Sequence, residues 1–358
     1  MTARPSPSRL ALVATLAAAL TPALGCAGQR TIATLAGDTA PADAPADAPA
    51  ELLIVGNKRD NSVTLIDVAA RHTLATLPTG EGPHEVAASS DGRWAVVANY
   101  GAQQPGNSLT VLDLARHAVA RTIQLAPYRR PHGITFLPGD SLLAVTAESD
   151  QAVLVVRFAD GTVARTIPTG QAGSHMVSVR ADGRMAYTAN IGSGTVTELD
   201  LVAGRATRTL PVAPRTEGVA VVPDGHEVWV GSNTQHTVTV IDTRTWAPVD
   251  TLSAPGLPYR IAISADGRTA VVPNPEANVV RVFDVATRTE RRTISMTGGA
   301  EGAQPVGVTL AADGRRVFVA LQGTSEVAMV DLETGAELAR FPVGAGPDGL
   351  AVTRRRGR

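Results

Sequence analysis

SHMVSVRADG, residues 174–183, is one of six near-copies that decide the fold of this chain. The others are PHEVAASSDG at 83, PHGITFLPGD at 131, TEGVAVVPDG at 216, PYRIAISADG at 258 and PVGVTLAADG at 305. A seventh start, PDGLAVT at 347, runs out at the C-terminus. Its missing remainder stands at the other end, in LLIVGNKRDNSVTLIDVAARHTLATLPTG from Leu52. Each repeat reads as four strands. A short apolar run (strand A) meets an Asp-Gly turn, which tolerates the positive φ of a tight hairpin. Strand B follows, as in WAVVAN at 94 or MAYTAN at 185. Strand C ends in an Asp, and strand D alternates, as in ARTIQL at 120. Apolar residues on both parities of strand B fit a sheet covered on both faces.

The spacing is regular. Asp182 to Asp200, Asp224 to Asp242, Asp266 to Asp284 and Asp313 to Asp331 are each 18 residues apart. A four-strand period of about 42 residues without helical periodicity is the signature of a propeller. The expected fold is all-β: a seven-bladed β-propeller with four antiparallel strands per blade, the last blade closed by the N- and C-terminal segments together. Closure removes exposed sheet edges.

The repeats occupy 51–353. The strand B runs AYTAN at 186 and AVVAN at 95, with their Asp-Gly turns, resemble YVTN-family β-propeller repeats. The resemblance implies the fold and leaves the function open, because that family hosts surface proteins, binding proteins and enzyme-like relatives.

Residues 1–26 read as a targeting segment. Arg4 and Arg9 precede an apolar run, Leu10 to Leu20, too short to span a bilayer. The run ends in Ala23-Leu24-Gly25-Cys26, and Cys26 is the only cysteine. It resembles a bacterial lipobox, with Ala23 where Leu is usual, and implies lipidation at Cys26. Residues 27–50, with their Ala-Pro-Ala-Asp repeats, read as an extended tether. Residues 354–358 form a basic tail. The expected location is the periplasm or cell surface, with the membrane reached through a lipid anchor only. A net charge of −1 gives no basic field to recruit nucleic acid. One cysteine excludes an intrachain disulfide, and no Cys-x-x-Cys-His, Walker, Rossmann or Gly-x-Ser-x-Gly motif is present.

In a propeller, strand A lines the central channel, and the D-to-A and B-to-C connections share one face. The second residue of each start therefore gives a ring at the channel mouth: His84, His132, His175, Glu217, Tyr259, Val306 and Asp348. The ends of strand B give a second ring: Asn57, Asn99, Glu148, Asn190, Ser232, Asn274 and Leu321. Three imidazoles and a carboxylate on adjacent blades (His84, His132, His175 and Glu217) are a candidate first shell for a transition metal ion. They are equally candidates for acid–base work of a lactonase- or lyase-like enzyme, with His132 or His175 beside Glu217 or Glu148. The plainer reading is structural: the histidines bond neighbouring backbone, and the asparagines satisfy turn amides.

Excess length gathers on the same face. Asn99 to Asp113 spans 14 residues where Asn190 to Asp200 spans 10, which places an insert at 100–107. Further inserts fall at 295–304 and at Tyr128 to Arg130. Function concentrates in loops on rigid scaffolds. The expected function is therefore a monomeric envelope protein that binds a partner protein or small-molecule ligand on this face, rather than an enzyme.

Overall fold

The computed structural model describes residues 51–354. The targeting segment, Cys26, the tether and residues 355–358 lie outside the described residues. Seven four-stranded antiparallel sheets succeed one another in chain order. Each runs from an inner strand A to an outer strand D. Blade 1 is the composite one: its inner strand is Pro347–Arg354, and its strands B to D are Glu51–Asn57, Ser62–Asp67 and His72–Pro78. The other inner strands are Pro83–Ala88, Pro131–Phe136, Ser174–Val179, Thr216–Val221, Ala262–Ile263 and Pro305–Leu310. This is the seven-bladed propeller expected from the repeats. Among the described residues no helix is long and apolar enough to cross a membrane.

The two-parity pattern of strand B explains the packing. In blade 2, Ala95 and Val97 join the apolar cluster shared with blade 1, while Val96 and Ala98 join the one shared with blade 3. Each pair of neighbouring blades holds one such cluster, and the seventh joins blade 7 to blade 1 through Val306, Phe318, Leu53 and Leu350. The core is thus a ring of interfaces, and no blade covers its own faces. Arginines on the outer strands tie blade to blade: Arg165 donates to the Leu201 carbonyl at 2.6 Å, Arg208 to that of Thr243 at 2.7 Å and Arg292 to that of Glu333 at 2.7 Å.

The repeated aspartates close turns. Asp200 Oδ1 accepts the amides of Val202 and Ala203, and Asp331 Oδ1 those of Glu333 and Thr334. In the A–B turns Asp182 and Asp266 accept the amides of Arg184 and Arg268. These side-chain caps are why the residue type recurs at a fixed spacing.

One feature of the inner strands matters for the site. Pro83 pairs with Asn99 but Val86 with Val97, so His84 and Glu85 together face Ala98. The same slip recurs in blades 3, 4, 5 and 7, and in blade 1. It is a β-bulge, which re-aims the side chains it carries. Behind it the inner strands nearly touch. A Cβ at Gly307 would overlap the Asp348 carbonyl oxygen, and one at Gly349 would overlap that of His84. Blade 6 departs from the repeat. Its inner strand shrinks to Ala262–Ile263, opposite a strand B that contains Pro273. Proline has no amide hydrogen for a ladder, so Tyr259 and Arg260 are not part of the paired strand.

Ending the chain before Pro347 removes the inner strand of blade 1, and with it Leu350 and Ala351 from the two interfaces of that blade. The expected result is loss of the whole cooperative thermal transition, followed by circular dichroism. A truncated chain that keeps a single sharp transition near the parent's would contradict ring-wide coupling.

Candidate functional site

The bulge turns the second and third residues of the starts toward the channel. His84, His132, His175 and Glu217 meet there on adjacent blades, as the alignment expected. The ring centroids of His84 and His132 are 4.8 Å apart, and those of His132 and His175 are 3.7 Å apart. Tyr100 adds a fourth ring, 4.4 Å from His84. His84, His132, Glu217 and Asp348 are all buried.

Charges thread these rings in alternation. Tyr100 Oη donates to Glu148 Oε1 at 2.9 Å, and Glu148 Oε2 lies 2.7 Å from His175 Nδ1. His175 Nε2 stands 3.6 Å from Glu217 Oε1, an ion-pair distance rather than a hydrogen bond. The same Glu217 oxygen accepts from Arg260 Nη1 at 2.8 Å, and Glu217 Oε2 accepts from Asn233 Nδ2. Arg260 then crosses the channel to Glu85, with Nε and Nη2 at 2.9 and 2.8 Å from Oε1. On the remaining side Lys58 Nζ lies 3.6 Å from Asp348 Oδ2.

This geometry splits the histidines. Burial holds the His84 imidazole down at about 4, and burial with the His175 charge beside it puts His132 well below the usual range. Both are neutral at pH 7. Burial also pulls His175 down, but its hydrogen bond to Glu148 and the charge of Glu217 outweigh this and raise it. Glu217 resists its burial because His175 and Arg260 stabilise the carboxylate, and it is held down at about 2. Burial pushes Glu85 the other way, up, against the pull of Arg260.

The expected metal shell does not form. His84 Nδ1 bonds the Gly82 carbonyl at 2.9 Å, and both nitrogens of His175 face carboxylates. The His84 and His132 rings meet edge on at 62°, and those of His132 and His175 are tilted by 33°. Among the described residues no group of three or more His, Cys, Asp or Glu is placed to hold a metal.

The second ring divides. Asn99 Nδ2 donates to Ser108 and Thr110, and its Oδ1 accepts the Gly80 amide. Asn190 bonds Thr195, Thr197 and Ser174, and Asn274 donates to the Ala254 carbonyl. These asparagines pin turns. Glu148 belongs elsewhere: Pro131 pairs with Ala147 just as Pro83 pairs with Asn99. Ala147 therefore holds the ring position, and Glu148 stands one residue further, level with Tyr100. The equivalent residues Lys58 and Asn233 also reach the mouth.

Glu85 and Arg260 were missing from the rings read in the sequence, although a signal for them exists. The third position of the starts is Gly133, Gly218, Gly307 and Gly349 in four blades, and Glu85, Met176 and Arg260 in the other three. Charged side chains where most repeats allow none mark the channel axis.

The inserts close over one side of the mouth. The segment expected as a loop at 100–107 is mostly a hairpin extension, since strands Trp94–Gly101 and Pro105–Asp113 pair Gly101 with Pro105. Arg130 joins it: its amide donates to the Gly106 carbonyl at 2.7 Å, and its guanidinium lies 4.6 Å from the centre of the Tyr100 ring.

Arg260→Leu strands two buried carboxylates. It is expected to cost about 3–5 kcal/mol in urea denaturation, with much of the loss recovered when Glu85→Leu and Glu217→Gln are added. An unchanged midpoint in the single variant would refute the crossing. The histidines set a pH dependence. His84 is depressed on folding, so its stabilising share is full above about 6.5 and is lost as pH falls toward about 4, up to roughly 3 kcal/mol. His132 acts in the same direction. His175, raised on folding, acts oppositely: its share is present below its unfolded value and fades as pH rises through its folded one. Urea midpoints are expected to fall from pH 7 to pH 4.5, and less steeply in His84→Phe. Equal slopes would remove His84 from the account.

The family model described as "Cytochrome D1 heme domain" matches residues 138–353, more than half of the chain. A solved structure of a functionally unknown protein from Desulfotomaculum acetoxidans is similar in fold, with a TM-score of 0.71 and 14% sequence identity over 85% of this chain and 99% of that one. No curated protein matches the sequence.

Proposed function

The chain belongs to the cytochrome D1 heme domain family, and from that premise and the geometry of the mouth we propose that it is a heme-free binding protein of the cell envelope. It holds a small ligand or a partner protein on the loop-bearing face. The observation that carries this reading is the mutual engagement of the charged side chains at the mouth.

A heme needs an axial ligand with a free nitrogen or sulfur and a flat slot several hundred Å³ in volume beside it. The imidazoles at this mouth are His84, His132 and His175. Their centroids lie 3.7 and 4.8 Å apart, so no macrocycle plane enters between them. Arg260, which would be free to meet propionates in an open site, already bridges Glu85 and Glu217 across the axis. The residues present do not fit a heme, and the reading routes no chemistry through one.

Three further observations support binding. Two inserts pack together over Tyr100, which builds relief on one face only. The charged chain is nearly complete in its own partners, as befits a rigid presenting surface. The targeting segment and Cys26, with repeats of YVTN type, agree with an exported, lipid-tethered propeller.

A photo-reactive residue at exposed Gln103, on the hairpin tip, tests the face against one at Val249 on an outer strand. In intact cells an adduct is expected at Gln103 alone, and is expected to vanish when residues 102–104 are replaced by a short turn. Equal labelling at both positions, or labelling that survives the shortened hairpin, would sink the assignment.

A further inference from the structure

One carboxylate of the ring has an ion-pair neighbour but no hydrogen-bond donor. Asp348 is 0% exposed, and neither of its carboxylate oxygens has a hydrogen-bond partner. The nearest cation is Lys58, the chain's single lysine. Its Nζ stands 3.6 Å away, beyond hydrogen-bond reach, and its side chain is 36% exposed. Arg260 cannot help, because it is committed to Glu85 and Glu217. Asp348 holds the ring position of His84, His132, His175 and Glu217, whose side chains meet around the mouth. Its charge is the foremost cause that pushes the Tyr259 phenol well up, and it also acts on His84. By blade order its ring position lies between those of Val306 and His84.

Chemistry narrows what answers it. An ionised carboxylate only accepts hydrogen bonds, so both oxygens call for N–H or O–H donors. A neutral hydroxyl would satisfy the geometry and leave the buried charge uncompensated. An anion would meet Asp348 and Glu85 together. A metal ion needs several convergent ligands, and no such group exists among the described residues. His132 Nδ1, also buried and without a partner, is a further polar atom in the same ring.

Resting on the channel-mouth reading above, we propose that the site binds a small organic cation, an ammonium or guanidinium group seated on Asp348. An Asp held without donors is then a binding group kept at the expense of stability, a trade expected of functional sites.

Calorimetric titration and thermal melts of the purified protein test this, with propylammonium and methylguanidinium as probes and propionate and glycerol as controls. Saturable binding of the two cations alone is expected. Asp348→Asn is expected to weaken it on the order of 10- to 100-fold, the loss of a charge-assisted hydrogen bond. The unliganded variant is also expected to melt higher than the parent, because an unanswered buried charge is gone. A merely structural aspartate would move the melt the other way. The proposal is overturned if neither cation binds, if binding survives Asp348→Asn, or if that variant melts lower. Binding of propionate or glycerol in place of the cations overturns the ligand class and leaves the mouth a binding face. No binding of any probe, with no adduct at Gln103, removes both.

Discussion

The pairing of Glu51–Asn57 with Pro347–Arg354 is the contact on which everything else rests. Each blade is apolar on both faces and is stable only between two neighbours, so an open arc of blades would leave two such faces in water. One antiparallel ladder between the chain's two ends turns the arc into a ring. It also assembles the site. Lys58 and Asp348 come from opposite ends of the sequence, and Glu85 and Arg260, which meet across the channel, are separated by 175 residues. None of these pairs is local, so the mouth exists only when closure is complete.

Closure also sets the electrostatic problem. Seven inner strands converge on one axis, and any polar side chain they carry is carried into low dielectric. There, an unpaired charge costs several kcal/mol. Most of the mouth meets this by alternation: Glu85, Arg260, Glu217, His175, Glu148 and Tyr100 each stand beside a group of opposite or complementary character. The two histidines outside the alternation, His84 and His132, meet it by staying neutral. Asp348 stands beside Lys58 at 3.6 Å but, unlike the other carboxylates of the mouth, accepts no hydrogen bond.

The fold was legible because its signals are periodic and one-dimensional. Asp-Gly turns, capping aspartates and two-parity strands recur at fixed intervals, and each has a local cause that the structure retains in Asp182, Asp200 and the Ala95–Ala98 run. The site was legible only to the accuracy of the alignment. Of the second-position ring, His84, His132, His175 and Glu217 come together, since every start shares that position. Glu148 was placed one residue off, because blade 3 ends its strand B at Ala147 and the Asn that marks the register elsewhere is absent. Glu85 and Arg260 were passed over for a deeper reason. In a regular strand, neighbours point to opposite faces, so a reading that sends His84 into the channel sends Glu85 away. The bulge breaks that rule, and nothing in the local sequence of blade 2 announces it. Only comparison of the third position across all seven starts does so.

That bulge also explains why family membership constrains the function so little here. Most of its residues lie outside the A–B ladder, although Val306 joins an interblade cluster and Met176 still pairs with Ala189. Gly, Glu, Met and Arg all occupy the third position in one chain, and only in the Arg260 blade is the inner strand shortened, to Ala262–Ile263. A scaffold with seven such positions at its axis keeps its fold while the contents of its channel change completely. Members that share a family model can therefore differ in whether the axis admits a macrocycle, a small cation or only their own side chains. In this chain Arg260 engages Glu85 and Glu217 across the axis, while among the described residues the buried Asp348 carboxylate keeps both oxygens without a hydrogen-bond donor.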